Sequence, residues 1–280
     1  MKHIYLNLKR FDVEPERGGV NRLADPAQWG QTVVASIQDG IAAFADRAEF
    51  AAFLPESQLP GALAARSADS ALKLGPQGVH REDVRPGGNF GAMTSLRPAT
   101  AMAQIGCETA IIGHCEERGN LRAILAAGGV EASRARETAD ALLSEEVRAA
   151  TEAGLSVLLC IGEHAEEQDA WQEVLGHQLD AGLAAADPAR TVIAYEPVWS
   201  IGPGKTPADA PYIQKIARFV KERTGGLDVV YGGGLKADNA RMLAGIPEID
   251  GGLIALTRFA GEIGFYPEEY LEIVDLYLNA

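Results

Sequence analysis

Short runs of β-branched and other apolar residues recur along the chain at 3–9, 49–54, 71–77, 108–114, 156–162, 191–196, 228–233 and 251–255. Longer stretches separate them. Most of these carry apolar residues at helical spacing, near 26–46, 97–105, 133–153, 167–186, 207–224, 237–245 and 267–278. The stretch after the second run reads poorly and is expected to hold only a short helix. Strand followed by helix, repeated, has one compact solution: parallel strands with their helices packed outside. Eight such units suit closure into a (β/α)8 barrel, an α/β fold that reaches this length as a single domain, here residues 1–280. An open doubly wound sheet is the alternative, but the first run is not followed by G-x-G-x-x-G. No Ser/Gly/Pro linker offers a domain boundary. Asp25-Pro26 and Thr206-Pro207 each put a side-chain acceptor at an N-cap and a fixed φ at the first helical position.

Charge limits the partners. The chain has 39 Asp and Glu against 25 Lys and Arg, a formal net charge of −14 and a pI near 4.8. Such a surface repels phosphate backbones, so no nucleic-acid partner is expected, and an anionic ligand needs a local nest of donors. The opening MKHIYLNLKRFD meets charge too early for a signal-peptide core or a membrane span, so a cytoplasmic location with no membrane partner is expected. Cys107, Cys115 and Cys160 have no C-x-x-C spacing, and the histidines include no H-E-x-x-H pair. Neither a metal nor another cofactor is expected.

In a closed βα barrel, reactive groups gather where strands run into their following loops. The strand ends here are polar: Asn7-Leu8-Lys9, Gly113-His114-Cys115-Glu116, Tyr195-Glu196-Pro197 and Gly232-Gly233-Gly234. Strand alternation would turn Asn7 and Lys9 to the same side. Taken singly, each has a plain reading: a strand-end histidine is more often a hydrogen-bonded structural residue, Lys9 can be solvated, and Glu196 can cap a loop. Together they supply a base, a donor, a cation and bare backbone N–H groups. That set suits removal of a proton beside a carbonyl, with the carboxylate as base and imidazole and ammonium on the enediolate oxygen.

The segment A-Y-E-P-V-W-S-I-G-P-G-K-T at 194–206 resembles the catalytic and lid segment of the triose-phosphate isomerase family. N-L-K at 7–9, I-I-G-H-C-E-E-R at 111–118, C-I-G-E at 160–163 and Y-G-G-G at 231–234 follow in that family's order. The resemblance spans the chain and implies a TIM barrel that isomerises a small sugar phosphate, such as glyceraldehyde 3-phosphate to dihydroxyacetone phosphate. It implies Glu196 as general base and His114 as electrophile, which in that family acts as neutral imidazole at a helix N-terminus. Lys9 matches the cation near the substrate oxygen and phosphate, Asn7 the neighbouring orienting amide, and Glu116 the carboxylate at the foot of the short helix after His114. Gly202 in the lid and Gly234 match backbone donors to phosphate. Pro203, between Gly202 and Gly204, is expected to stiffen the lid tip.

Several positions depart from the family. Ala255 and Leu256 stand where it carries two adjacent glycines against the phosphate, so the leucine side chain is expected to displace that loop. Arg258 is left two readings, a compensating cation or a partner for a nearby acid. A four-carbon sugar phosphate is therefore weighed as the alternative substrate, and a non-catalytic binding barrel as a third reading. The family's homodimer is expected with a remodelled interface. Loops 11–24 and 79–96 are extended, Leu96 replaces a Glu and Glu117 an Arg, so two charges that can pair are altered together. Cys115 replaces a Ser beside the base.

Overall fold

A computed structural model describes residues 1–202 and 205–280; Pro203 and Gly204, the expected stiffened lid tip, lie outside the described residues. Strands β1 (Lys2–Asn7), β2 (Ala48–Leu54), β3 (Leu72–Pro76), β4 (Thr109–Ile112), β5 (Ser156–Ile161), β6 (Thr191–Tyr195), β7 (Val229–Tyr231) and β8 (Gly251–Ile254) pair in parallel. Their order, β3-β2-β1-β8-β7-β6-β5-β4, leaves β3 and β4 as the ends. These meet through the Glu108 N–H, which donates to the Leu74 carbonyl at 3.0 Å. A Cβ at Gly75 would fall 1.8 Å from the Thr109 carbonyl oxygen, so glycine is what lets the barrel close there.

Helices α1 (Trp29–Ala42), α2 (Leu59–Ala65), α3 (Ala99–Gln104), α4 (Cys115–Ala127), α5 (Ala132–Glu152), α6 (Trp171–Leu183), α7 (Ala210–Thr224), α8 (Ala240–Ala244) and α9 (Pro267–Leu278) cover the outside. Among the described residues no helix is long and apolar enough to cross a membrane.

Strand alternation sorts the core into two bodies. Tyr5, Ala51, Phe53, Ile111, Leu158, Cys160, Ala194, Val230 and Leu253 fill the barrel. Ile4, Leu6, Phe50, Ala52, Ile112, Leu159 and Ile193 face outward against the helices. Each fully buried Leu, Ile or Phe contributes roughly 1.5–3 kcal/mol, so the helical coat is held mainly by this layer.

The helix starts differ from the sequence expectation. Asp25 accepts the Ala27 N–H at 2.8 Å in a turn, and α1 begins only at Trp29. For α7 the cap is Asp209, whose side chain accepts the Tyr212 N–H at 2.9 Å, rather than Thr206. Proline fixes its own φ but does not by itself start a helix; the side chain that reaches an orphan N–H does. Helix α4 was not expected from periodicity, because Glu116, Glu117, Gly119 and Asn120 break its apolar pattern.

Candidate active site

The C-terminal ends of β1, β4, β6 and β7 converge. Asn7, buried at the end of β1, accepts the Lys9 N–H at 3.1 Å and a Gln77 Nε2 hydrogen at 3.2 Å. Gln77 Nε2 also lies 3.1 Å from the Lys9 carbonyl and 3.2 Å from that of Phe53, tying loop to barrel. Lys9 has left the strand, with φ +39°, so its position comes from this loop and not from strand alternation as expected. A non-glycine residue held in the left-handed region stores strain, which persists where surroundings over-determine it. Lys9 Nζ contacts Glu116 Oε1 at 2.7 Å, a half-exposed pair. Such pairs are worth ~0–1 kcal/mol, so an anionic substrate can draw the ammonium away at little cost.

His114 is the N-cap of α4, where its Nδ1 accepts the Glu116 N–H at 3.2 Å. Nδ1 must therefore carry a lone pair, and in the neutral ring Nε2 holds the proton. Nε2 lies 3.1 Å from Glu196 Oε1, without hydrogen-bond alignment. Glu196, only 1% exposed, follows β6; its Oε2 accepts the Cys115 N–H at 2.9 Å. Oε1 is buried with no hydrogen bond. Burial raises the Glu196 pKa above the ordinary carboxylate value, and His114, the Cys115 N–H and Lys9 oppose it without cancelling it. Burial and the neighbouring Glu196 likewise push the Cys115 thiol far up, so it stays protonated.

His114, Cys115 and Glu196 bring one ligand atom each within 4.8 Å of one another. A divalent metal would need the Nε2 lone pair, moving the proton to Nδ1 against the Glu116 N–H, and a thiolate that burial opposes. The donor set does not fit such an ion.

The corner before His114 is clamped from both sides by residues given no catalytic part in the sequence reading. Gly113, at φ +77°, donates its N–H to Glu117 Oε2 at 2.6 Å. Its carbonyl accepts Arg118 Nε at 2.8 Å, while Arg118 Nη2 reaches the Cys160 carbonyl at 3.0 Å and Nη1 pairs with Asp140 of α5. Glu117 also meets Glu146 of α5, carboxyl to carboxyl; burial raises the pKa of both, and the Arg97 guanidinium partly offsets this. Glu117 thus turns inward, hydrogen-bonded to Gly113, and holds the strand end. The E-E-R string was the available signal.

Glu163, fully buried after β5, gathers three donors on Oε1: Tyr195 OH at 2.9 Å, Trp199 Nε1 at 2.8 Å and Tyr212 OH at 3.0 Å. Oε2 has no partner. Burial raises its pKa and the three donors oppose that. The indole and Tyr212 also pack edge to face at 5.5 Å. The start of the lid is thus fastened to α7 and β6 through one carboxyl, which the C-I-G-E string signalled without revealing its partners.

Next to the base runs the turn after β7. A Cβ at Gly232 would fall 2.7 Å from Glu196 Cγ, so a side chain there would displace the base. Gly202 and Gly234 have φ of +113° and +97°. Among the described residues the backbone N–H groups of Gly202, Gly234, Ala255 and Leu256 donate no hydrogen bond, which leaves them available to an anion. Leu256 is half-buried and its loop is closed by an antiparallel bridge between Arg258 and Gly264. Arg258 is committed: Nε donates to Glu269 Oε1 at 2.7 Å and the guanidinium stacks 3.6 Å from the Tyr266 ring centroid. Of its two readings, pairing with an acid is the one observed.

A cleft of about 380 Å³ opens at this end beside Lys9, Gln77 and Glu116. A larger one of about 690 Å³ lies at the opposite end, around His3, Glu49, Lys73 and Asp228. The smaller cleft adjoins the reactive groups, and size does not outweigh that. Nor do the charges of the larger cleft call for a ligand, since His3, Glu49, Lys73 and Asp228 are paired with one another.

A family model described as triosephosphate isomerase matches residues 28–266. A triosephosphate isomerase of Alkalilimnicola ehrlichii is 34% identical over 219 residues, covering 74% of this chain and 76% of its own length. One of Halorhodospira halophila is 35% identical over 256 residues, with 87% and 91% covered. The crystal structure of the Bartonella henselae triosephosphate isomerase superposes with a TM-score of 0.71 over 99% of this chain and 98% of that one, at 24% identity, a likeness of fold.

Proposed function

The chain belongs to the triosephosphate isomerase family, and from that premise we propose that Glu196, His114 and Lys9 carry its proton transfer. The enzyme is an aldose–ketose isomerase that interconverts glyceraldehyde 3-phosphate and dihydroxyacetone phosphate through an enediolate. Glu196 Oε1 removes the carbon-bound proton and returns it to the neighbouring carbon. His114 Nε2–H and the Lys9 ammonium face the oxygen on which charge develops. Asn7 holds the Lys9 backbone, Glu116 holds both the Lys9 ammonium and the His114 ring, and the free N–H groups of Gly202, Gly234, Ala255 and Leu256 receive the phosphate.

The observation that carries this reading is the asymmetry of Glu196: Oε2 is pinned by the Cys115 N–H while Oε1 is buried and unbonded beside His114 Nε2. A carboxylate whose second oxygen is left bare in a dry site is a strong base with a fixed direction. Glu196→Gln keeps the shape and removes the base. Its kcat is expected to fall by at least ~10³-fold, at the upper range of general-base effects, with substrate affinity little changed. Turnover near the wild-type rate would overturn the assignment.

The bare N–H groups at Ala255 and Leu256 favour retention of the phosphate cradle over displacement of the loop. Nothing favours the four-carbon substrate, and it is carried no further. For assembly, a homodimer fits the exposed tip of the third βα loop, where Phe90 is 90% exposed and Leu96 is also open. The cleft beside Lys9, Phe11 and Val20 suits an apolar tip from a second copy. Sedimentation of wild type against Phe90→Asp tests this: the variant is expected to sediment as a monomer at concentrations where wild type does not.

A further inference from the structure

We propose that Glu117 and Glu146 share a single proton and act together as positioning residues, holding the turn before His114 at the geometry that proton transfer needs; the kinetic part of this rests on the isomerase reading above. Gly113 lies between the end of β4 and the cap of α4 at φ +77°, and its N–H donates to Glu117 Oε2 at 2.6 Å. One carboxyl oxygen therefore sets the peptide from which His114 departs. What holds that oxygen is a second acid. Glu117 meets the Glu146 carboxyl of α5 side chain to side chain. Two ionised carboxyls in contact repel, so such a pair keeps one proton between them.

The surroundings say which acid holds it. The charged groups facing the pair are Arg118 on α4, and Arg97 and Arg81 from the loop between β3 and α3. Arg118 is committed to the Gly113 and Cys160 carbonyls and to Asp140. Arg97 comes beside Glu117: a Cβ on Gly78 would fall 2.9 Å from Glu117 Oε1 and 3.3 Å from Arg97 Nη2. The negative charge therefore belongs on Glu117, which has the Gly113 N–H and a guanidinium next to it. Among the described residues Glu146 Oε2 is buried and receives no hydrogen bond, as suits the neutral acid. The Glu146 O–H then donates to the Glu117 carboxylate, a charge-assisted bond stronger than a neutral one. Glu117 stands where the family resemblance implies an arginine, so in this chain the corner is held by a shared proton in place of a pair of opposite charges.

The test joins infrared spectroscopy to steady-state kinetics on the intact enzyme, with triose phosphate as substrate. At neutral pH the wild type should show the C=O stretch of a protonated carboxyl that both Glu146→Gln and Glu117→Gln lack; in the latter the new amide donates to Glu146, which then ionises. Glu146→Leu removes the donor and should lower kcat about 10- to 100-fold, as for a small displacement of a catalytic group, with KM changed less. Glu146→Gln, whose amide can donate in place of the acid, should recover most of that loss. Because the pair holds the turn only while Glu146 keeps its proton, kcat of wild type relative to Glu146→Gln should fall as pH rises into the alkaline range. A merely structural pair would change stability and leave that ratio constant. A constant ratio, or a wild-type spectrum that matches Glu146→Gln in the carboxyl region, would overturn the proposal, and neither measurement needs Glu146→Leu to fold. Absence of triose phosphate turnover in the wild type would instead count against the isomerase reading, with the infrared band still deciding whether the proton is shared.

Discussion

Arg118 offers the sharpest test of how the scaffold holds the catalytic corner. Its guanidinium is buried and meets the Gly113 carbonyl, the Cys160 carbonyl and the Asp140 carboxylate at once. Arg118→Met keeps much of the volume and removes every donor. Asp140 would keep only His177, whose Nδ1 lies 2.7 Å from its other oxygen, and both carbonyls would lose a charged donor. Breaking a buried pair by removing one partner costs about 3–5 kcal/mol. The two carbonyls would add about 1–3 kcal/mol each if independent, but they share one environment and do not simply add. The remaining contact with His177, which is half exposed, relieves part of the Asp140 penalty.

A net loss of about 4 kcal/mol is therefore expected, equivalent to a fall in Tm on the order of 10 °C for a chain of this size. Urea denaturation reads the loss directly. The double change Arg118→Met with Asp140→Leu removes the stranded carboxylate and should recover about half of it. Below its Tm, Arg118→Met should also lose about 10- to 100-fold in kcat, because the Gly113 carbonyl no longer fixes the peptide that carries His114. A destabilisation under about 1 kcal/mol would refute the reasoning, as would a double variant less stable than the single one.

Other expectations follow from the same contacts. His114→Gln should lower kcat mainly, and Lys9→Met should lower kcat and raise KM, because the ammonium meets a substrate already charged; steady-state kinetics with equal parameters for both variants and wild type would refute this. Glu146→Gln should be more stable than wild type at pH above 4.5 and increasingly so as pH rises, because burial and the neighbouring Glu117 raise the Glu146 pKa above 4.5 in the fold and ionisation then opposes folding; parallel Tm profiles would count against it. At the other end of the barrel, Tyr5 OH donates to Glu49 and therefore accepts from His3 Nδ1, while His3 Nε2 faces Asp228 at 2.8 Å, so the ring donates from both nitrogens as imidazolium. Burial lowers the His3 pKa but Glu49 and Asp228 outweigh it, and the folded value is above 6.5; its contribution is full below 6.5 and lost as pH rises through the folded value. Relative to His3→Gln, wild type should lose Tm as pH rises above 6.5, and an unchanged difference would show the ring to be neutral.

Eight strands were legible because each buries both faces, one in the barrel and one under helices, which forces a dense apolar run at a recognisable spacing. The ends were legible for a different reason: Asn7, Lys9, His114 and Glu196 are polar where the runs stop. Helix α4, implied by the resemblance, was hidden from periodicity because it is anchored by its first turn, through His114, Glu117 and Arg118, more than by an apolar stripe. Its burial comes from charge, and periodicity does not register charge. The partners of Arg118 and Glu163 were out of reach for the same reason, since Asp140, Tyr195 and Tyr212 lie 22, 32 and 49 positions away along the chain.

The loop after β8 joins a departure from the family's pattern to contacts that only the structure displays. Leu256 stands where the resemblance leads one to expect a glycine, and from that the loop was expected to be displaced. A side chain blocks an approach only on the side to which it points. Among the described residues the Leu256 N–H has no partner, the segment beyond folds back through the Arg258–Gly264 bridge, and its Phe259 ring comes to rest on Lys236. The segment after β8 thus delivers an aromatic face to Lys236, which no carboxylate among the described residues pairs with. The contact joins two residues 23 positions apart, in loops after different strands, and parallel pairing of β7 with β8 is what brings those loops side by side.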